Sequence, residues 1–294
     1  MKANTKGVLL LILCSFVWGM AFTAQSTAAE TIGPFTFVFL RFAISSIVLF
    51  ALYPIIRKKD APKLDRPAKK RYLLLGTVLG TILFGACVLQ QTGIAYTTAA
   101  NSGFITALYI VMIPIISLFL GKKVGKLVWI GVAVALAGLF LLCIKDDFSI
   151  NTGDLITPGC AFVFSFHIII IDRYAGDMNS ILLSAVQFGV VAVIALPCML
   201  LTEKFVVGDV LSCWSSILYA GIFSGALGYT LQMVGQKYTK PTLASLLMCL
   251  ESVFAAIGGW ILLGQGLSAR ELIGCVLMLS ASVIAQLPEK KAVS

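Results

Sequence analysis

The sequence predicts an all-α polytopic membrane protein with ten transmembrane helices in two inverted five-helix repeats. Three observations carry that expectation. The 294 residues are 59% hydrophobic and 12% charged, with a mean hydropathy of +0.99, far outside the composition of soluble domains. Ten mostly apolar runs approach the roughly 20 residues that a helix needs to cross hydrocarbon. The stretch 96–114, Tyr-Thr-Thr-Ala-Ala-Asn-Ser and onward, returns on the same plan at 238–254. Each copy has a polar Tyr-Thr entrance, small residues, and an apolar run with one hydrogen-bonding side chain at its middle, Tyr109 in the first and Glu251 in the second.

The first run, 7–28, follows Lys2 and Lys6. A signal peptide is the alternative reading of this run, and its length and the lack of a small-residue cleavage site weigh against it. Its Trp18 falls near mid-membrane, whereas tryptophan is commonest at interfaces. With Phe22, Tyr109 and Phe254 it either lines an aromatic cavity or packs. The second run, 34–56, carries Arg41, which could snorkel outward along its own stem or point inward to an anionic substrate or to Glu251. The linker 57–71 holds Pro62 and Pro67 among its charges and reads as a topology determinant in contact with anionic lipid. The third run, 72–90, contains Gly76-x-x-x-Gly80, and the eighth, 212–235, contains Gly221-x-x-x-Gly225; both suit tight helix crossings. The fourth run, 98–120, has Asn101, Tyr109 and Pro114, and the fifth is 126–144. Gln90, Gln91, Asn101 and Gln232 are uncharged polar groups at membrane depth, available to neighbouring helices or to a substrate.

The second half opens after the loop Lys145-Asp146-Asp147. Its runs are 152–173, 180–201, 212–235, 241–263 and 269–287. At one constant offset Gly7 matches Gly153, Cys14 matches Cys160, Phe16 matches Phe162, Trp18 matches Phe164, and Arg41-Phe42 falls on Gln187-Phe188. Aligning Tyr96 with Tyr238 also aligns Gln90 with Gln232, Gly93 with Gly235 and Leu108 with Leu250, and Gly131 matches Gly274. The repeats are therefore placed at residues 1–149 and 150–294. An odd number of helices per repeat makes the second copy enter from the opposite side, which is the inverted arrangement of many carriers.

Charge sorts the loops. Of the 22 Lys and Arg, only Lys145, Lys204 and Arg270 fall on the side opposite the N-terminus and Arg41 lies inside a run; the other eighteen share the N-terminal side. Basic loops stay in the cytoplasm. The chain is thus expected to be a multi-pass protein of the cell (inner or plasma) membrane with both termini cytoplasmic. The formal charge of +9 is explained by this sorting, so no nucleic acid is implied.

Glu251 sits near the middle of the ninth run, where an exposed charge would cost on the order of 2.5–3.5 kcal/mol. It must face the bundle interior and be paired, protonated, or both in turn. A carboxyl of that kind can take a proton on one side and release it on the other; the alternative is a structural hydrogen bond between helices. His167, the only histidine, is a satisfied interior residue or a second proton relay. No metal site can be assembled around it. The eight cysteines lie in or beside apolar runs without a CxxC pair and read as small hydrophobes. Walker A, HExxH and GxSxG motifs are missing, so neither an ATP-driven pump nor an enzyme is expected, and no cofactor.

Four segments carry a resemblance to a known family: Ser-Phe-Val-Trp-Gly at 15–19, Leu-Arg-Phe at 40–42, Tyr-Thr-Thr-Ala-Ala-Asn-Ser at 96–102 followed by Pro114, and Leu-Glu-Ser-Val-Phe at 250–254. Together, in order and over the whole chain, they resemble the ten-helix EamA-type branch of the drug/metabolite transporter superfamily. The resemblance implies a secondary carrier, often an exporter of amino acids or other small metabolites, with a cavity between the halves on or near which Trp18, Arg41, Tyr109 and Glu251 would lie. One departure stands out. Where the family often has Leu-Gly-Glu, this chain has Leu120-Gly121-Lys122 and Leu263-Gly264-Gln265.

The expected function is therefore a secondary-active transporter working by alternating access, exporting small metabolites such as amino acids or drug-like compounds. Its partners would be the substrate, the lipid bilayer and protons, and it would act as a monomer or homodimer. The expected substrate-binding residues are Trp18, Arg41, Gln90, Asn101, Tyr109, Phe164 and Glu251, with Glu251 and His167 as proton-coupling candidates. The rival readings are a facilitative uniporter or channel and, further off, a membrane-embedded enzyme or lipid flippase.

Overall fold

A computed structural model describes residues 5–56, 65–96, 99–143, 152–263 and 268–287. Every element among them is helical. In chain order these are α1 (Thr5–Ala29), α2 (Pro34–Ile56), α3 (Arg66–Tyr96), α4 (Ala99–Ala107), α5 (Tyr109–Phe119), α6 (Lys126–Cys143), α7 (Thr152–Tyr174) and α8 (Ser180–Thr202). They continue with α9 (Val207–Ser212), α10 (Trp214–Leu218), a π-helical stretch (Tyr219–Tyr229), α11 (Thr230–Gln236), α12 (Pro241–Met248), α13 (Glu251–Leu263) and α14 (Ala269–Ile284).

Six helical segments are long and apolar enough to cross a membrane: Thr5–Ala29, Pro34–Ile56, Arg66–Tyr96, Leu155–Tyr174, Ser180–Thr202 and Trp214–Gln236. Three shorter apolar stretches, Ile105–Phe119, Lys126–Leu141 and Pro241–Ile257, occupy the fourth, fifth and ninth expected runs. Two of the expected continuous helices are broken. The fourth run divides at Leu108 into α4 and α5, and the ninth divides at Cys249 and Leu250 into α12 and α13. The third helix begins at Arg66 and not near 72, so the end of the expected linker is helical; residues 57–64 lie outside the described residues.

Matched elements of the two halves pack on one another. α2 lies along α8 and α6 along α14, while α3 packs on α7 and α1 on α11 and the π-helical stretch. The first pair is antiparallel. Thr36 near the start of α2 donates to Glu203, just past the end of α8, and Ser46 further along donates to the Ala185 carbonyl near its start. Phe42 meets its counterpart Phe188 with ring centroids 5.2 Å apart. Close backbone approach also repeats. A methyl on Gly7 would meet the Gly235 carbonyl oxygen at 3.1 Å, and one on Gly93, the match of Gly235, would meet that of Gly153, the match of Gly7, at 3.4 Å.

Gly121 ends α5 in the left-handed region, with φ +74°. The amide of Lys122 donates to the Ser117 carbonyl and that of Gly121 to the Leu118 carbonyl, a pairing that satisfies the last carbonyls and favours glycine at this position. The Leu-Gly-Lys tripeptide is thus a helix stop.

Candidate functional site

The two helix breaks bring the repeat-equivalent side chains together. Tyr109 opens α5 and Glu251 opens α13, and the Tyr109 hydroxyl donates to Glu251 Oε1 at 3.3 Å. Both are buried. Cys249 donates its thiol to the Leu246 carbonyl at the second break, and Ser15 of α1 donates to the Leu247 carbonyl, so side chains satisfy backbone groups that the interruption frees. Gly19 lets α1 approach this point, since a methyl there would lie 2.5 Å from the Glu251 carbonyl oxygen.

Glu251 and Tyr109 line a cavity with Trp18, Phe22, Gln25, Arg41, Gln90 and Thr106 on one side of the duplication and Phe164, Ile168, Ser224, Tyr229 and Gln232 on the other. About 30 Å³ of it can be reached by the centre of a water-sized molecule, room for about two waters. Little free space is left between these side chains.

Arg41 points inward and is 3% exposed. Its guanidinium donates to Gln25 Oε1 at 3.3 Å and to Ser224 Oγ at 2.9 Å, and lies 5.0 Å from the Phe42 ring centroid and 6.0 Å from that of Tyr229. All of these partners are neutral. Among the described residues no carboxylate lies within ion-pair distance of it, and Arg41 Nε has no partner. The expected alternatives of snorkelling and of a bond to Glu251 are not what the structure shows.

The π-helical stretch Tyr219–Tyr229 builds the wall beside Arg41. Its wider turn leaves carbonyls open to side chains from the neighbouring helices. Ser45 donates to the Gly221 carbonyl, Trp18 Nε1 to the Ser224 carbonyl at 3.0 Å, and Cys14 to the Gly228 carbonyl. Short π segments recur at functional positions in helices. Gly228 is needed for the Trp18 contact, because a methyl would fall 2.5 Å from Trp18 Nε1. Trp18 in turn packs edge-on to Tyr229, with centroids 4.8 Å apart.

Of the expected substrate-binding residues, Trp18, Arg41, Gln90, Tyr109, Phe164 and Glu251 line the cavity. Asn101 falls within α4, and its side chain lies outside the described residues. His167 does not line the cavity; it is fully buried in α7, with Nε2 3.1 Å from Gln187 Oε1 and Nδ1 without a partner. Sequence reasoning missed Gln25, Thr106, Ile168, Ser224 and Tyr229. Ser224 lies within the Gly221-x-x-x-Gly225 motif and Tyr229 four residues beyond it, and that clustering of small residues is the one visible signal.

The EamA-like transporter family matches this sequence twice, over residues 5–144 and 151–286. The chain is 31% identical over 280 residues to an uncharacterised transporter of Archaeoglobus fulgidus, covering 94% of this chain and 84% of the relative. It is 27% identical over 290 residues to the threonine/homoserine exporter RhtA of Escherichia coli, covering 97% and 92%. A solved crystal structure with 20% identity shares the fold, with a TM-score of 0.79 over 96% of this chain and 97% of that one. A polytopic helical chain around a polar, aromatic-walled cavity, with matches through both of its halves, belongs to the EamA-like transporter family and is a membrane transporter of small molecules.

Proposed function

We propose that the chain is a proton-coupled secondary carrier that exports small zwitterionic metabolites of the amino-acid type by alternating access. The observation that carries this reading is a buried guanidinium with only neutral partners and a buried carboxyl lining one cavity, Arg41 and Glu251. A free amino acid complements both groups, its carboxylate meeting Arg41 and its ammonium meeting Glu251. Aromatic walls from Trp18, Phe22, Phe164 and Tyr229 suit the substrate's side chain, and Gln90 is a polar contact beside it. When the cavity is empty, Glu251 takes a proton in place of the ammonium, which couples substrate exit to proton entry. Export agrees with the activity that names the E. coli relative.

The conformational half of the reading is an inverted repeat of ten spans, 1–149 and 150–294, with both termini cytoplasmic. It is supported by antiparallel packing of the matched helices α2 and α8, by the two helix breaks at matched positions, and by the hydrogen bond between matched residues Tyr109 and Glu251. Discontinuous helices at the repeat interface are a recurrent device of such carriers.

The test is uptake of zwitterionic amino acids into proteoliposomes under an imposed pH gradient. E251Q is expected to abolish gradient-driven accumulation. Undiminished accumulation by E251Q removes the proton-coupling role, and a uniporter or channel is then the better account. Panel members lacking either the carboxylate or the amine should fail to compete. Competition by them at equal potency sinks the zwitterion reading.

A further inference from the structure

A second cleft lies apart from the central cavity, between α3 and α7. Leu74, Leu75 and Val78 of α3 and Ile170 and Tyr174 of α7 line it, with Arg71 at one end, and it offers about 340 Å³ of space. It shares no lining residue with the central cavity and is a separate groove. Positions 71, 74, 75 and 78 recur at helical spacing, as do 170 and 174, and each set therefore shares one face. Leu75 forms the floor, while Leu74 and Tyr174 are 66% and 49% exposed. On a soluble protein such a face would invite association; in a chain that spans the bilayer it faces acyl chains. Arg71 and Val78 are about 10 Å apart along the helix axis, a large part of one leaflet's hydrocarbon depth.

Charge at the mouth of the groove is one-sided. Arg66, Lys69, Lys70 and Arg71 occupy the first turns of α3, whose first turn contains no acidic residue. Arg173 adds a fifth cation, its guanidinium 5.7 Å from the Tyr174 ring centroid. Cations are disfavoured at the positive end of a helix dipole, so this end is short of negative charge. Among the described residues the acids at this end are already engaged: Asp65 accepts from the Ala68 amide, Asp172 pairs with Lys122, and Asp177 accepts two hydrogen bonds from Arg71 at 2.5 and 2.9 Å. Arg71 remains accessible, with its side chain 53% exposed.

We propose that this groove holds one acyl chain of an anionic phospholipid, with its phosphate on Arg71 and Lys70. A phosphate accepts from a guanidinium in the same forked geometry as a carboxylate, so the lipid competes with Asp177 for Arg71. Binding then loosens the tie between α3 and the α7–α8 connection, which links an anionic inner leaflet to the opening of that end of the protein. The inference rests on the chain spanning a bilayer with the orientation and alternating access proposed above, and is independent of substrate, direction and proton coupling.

The full-length protein in detergent, exposed to phosphatidylglycerol or phosphatidylcholine and weighed by native mass spectrometry, tests this directly. The unaltered chain is expected to hold one phosphatidylglycerol about tenfold more tightly than phosphatidylcholine, roughly a 1.4 kcal/mol preference. L74W/V78W fills the groove and should lose that lipid. V78F, at a position 40% exposed, provides the same reading if the double variant does not fold. R71Q should retain a bound lipid and lose the preference. Equal retention of the two lipids by the unaltered chain, undiminished phosphatidylglycerol on the filled groove, or an unchanged preference in R71Q each overturns the proposal.

Discussion

Arg41 shows how little a residue's chemistry is fixed by its position in a hydropathy plot. A guanidinium in the second apolar run can snorkel or turn inward, and the structure turns it in because Gln25 and Ser224 offer acceptors and Phe42 and Tyr229 offer ring faces. These neutral partners compensate the charge in part and leave Nε open, which fits the substrate carboxylate proposed above. R41Q removes charge-assisted bonds of about 1.5–3 kcal/mol, so apparent affinity for a zwitterionic substrate should fall on the order of 10- to 150-fold. Equilibrium binding of an amino acid and its amide checks this. The loss should be large for the acid and small for the amide, which lacks the carboxylate.

At the scale of elements, the broken helices matter more than the long ones. α4–α5 and α12–α13 each stop and restart where a continuous helix would carry Tyr109 or Glu251 along an unbroken wall. Gly19 brings α1 against the restart of α13, with no space for a side chain. G19A should therefore push α13 outward, costing about 1–3 kcal/mol by overpacking; a lowered melting temperature in detergent and weakened substrate binding are the expected readings. The start of α2 depends on the other half of the chain. Gly33 provides no capping side chain, and Glu203 caps the helix from beyond the end of α8, accepting from the Phe35 and Thr36 amides at 2.8 Å each and from the Thr36 hydroxyl at 2.6 Å. E203A should cost about 1–2 kcal/mol, as for loss of a strong N-cap, and thermal unfolding measures it. Because this cap joins α2 to α8 at one end only, E203A should also favour opening at that end.

Across the whole molecule, the opposite end of the bundle has its own ties between the halves. Arg71 holds Asp177, Lys122 holds Asp172 at 2.8 Å, and the Asn179 amide donates to the Tyr72 hydroxyl oxygen at 2.6 Å, while Lys237 donates to the Met178 carbonyl within the second half. With Glu203 tying α8 to α2 at the other end, the alternating access proposed above requires one set of ties to part for each opening. Hydrogen bonds from Arg71 hold the Asp177 carboxyl below its usual range. A lowered carboxyl stabilises the closed end fully above the ordinary aspartate range, near pH 3.9, and the effect is lost as pH falls through the lowered value. D177N should remove it at every pH. Because an exposed pair adds little to global stability, the reading should be access to the interior, followed by labelling of the buried thiols Cys87 and Cys160 with a pyridyl disulfide, which reacts in acid. Labelling at neutral pH should be several-fold faster in D177N than in the unaltered chain, and the difference should vanish as the pH drops below that of Asp177. Equal rates at neutral pH would show that the tie does not guard the cavity.

Membrane class, the duplication and the identities of the polar groups in the site were determined by sequence, because the cost of burying charge and the repeat of short motifs are properties of the chain read linearly. Trp18, Arg41, Tyr109 and Glu251 could be singled out for that reason alone. Tertiary structure decided which way Arg41 turned, where the fourth and ninth runs broke, and that His167 sits away from the cavity with Gln187. It also brought in Gln25, Ser224 and Tyr229, ordinary residues whose place in the site depends on a π-helical turn and on helices packing across the duplication. Those outcomes depend on which carbonyls and rings arrive from distant parts of the chain, and local sequence does not encode the neighbours.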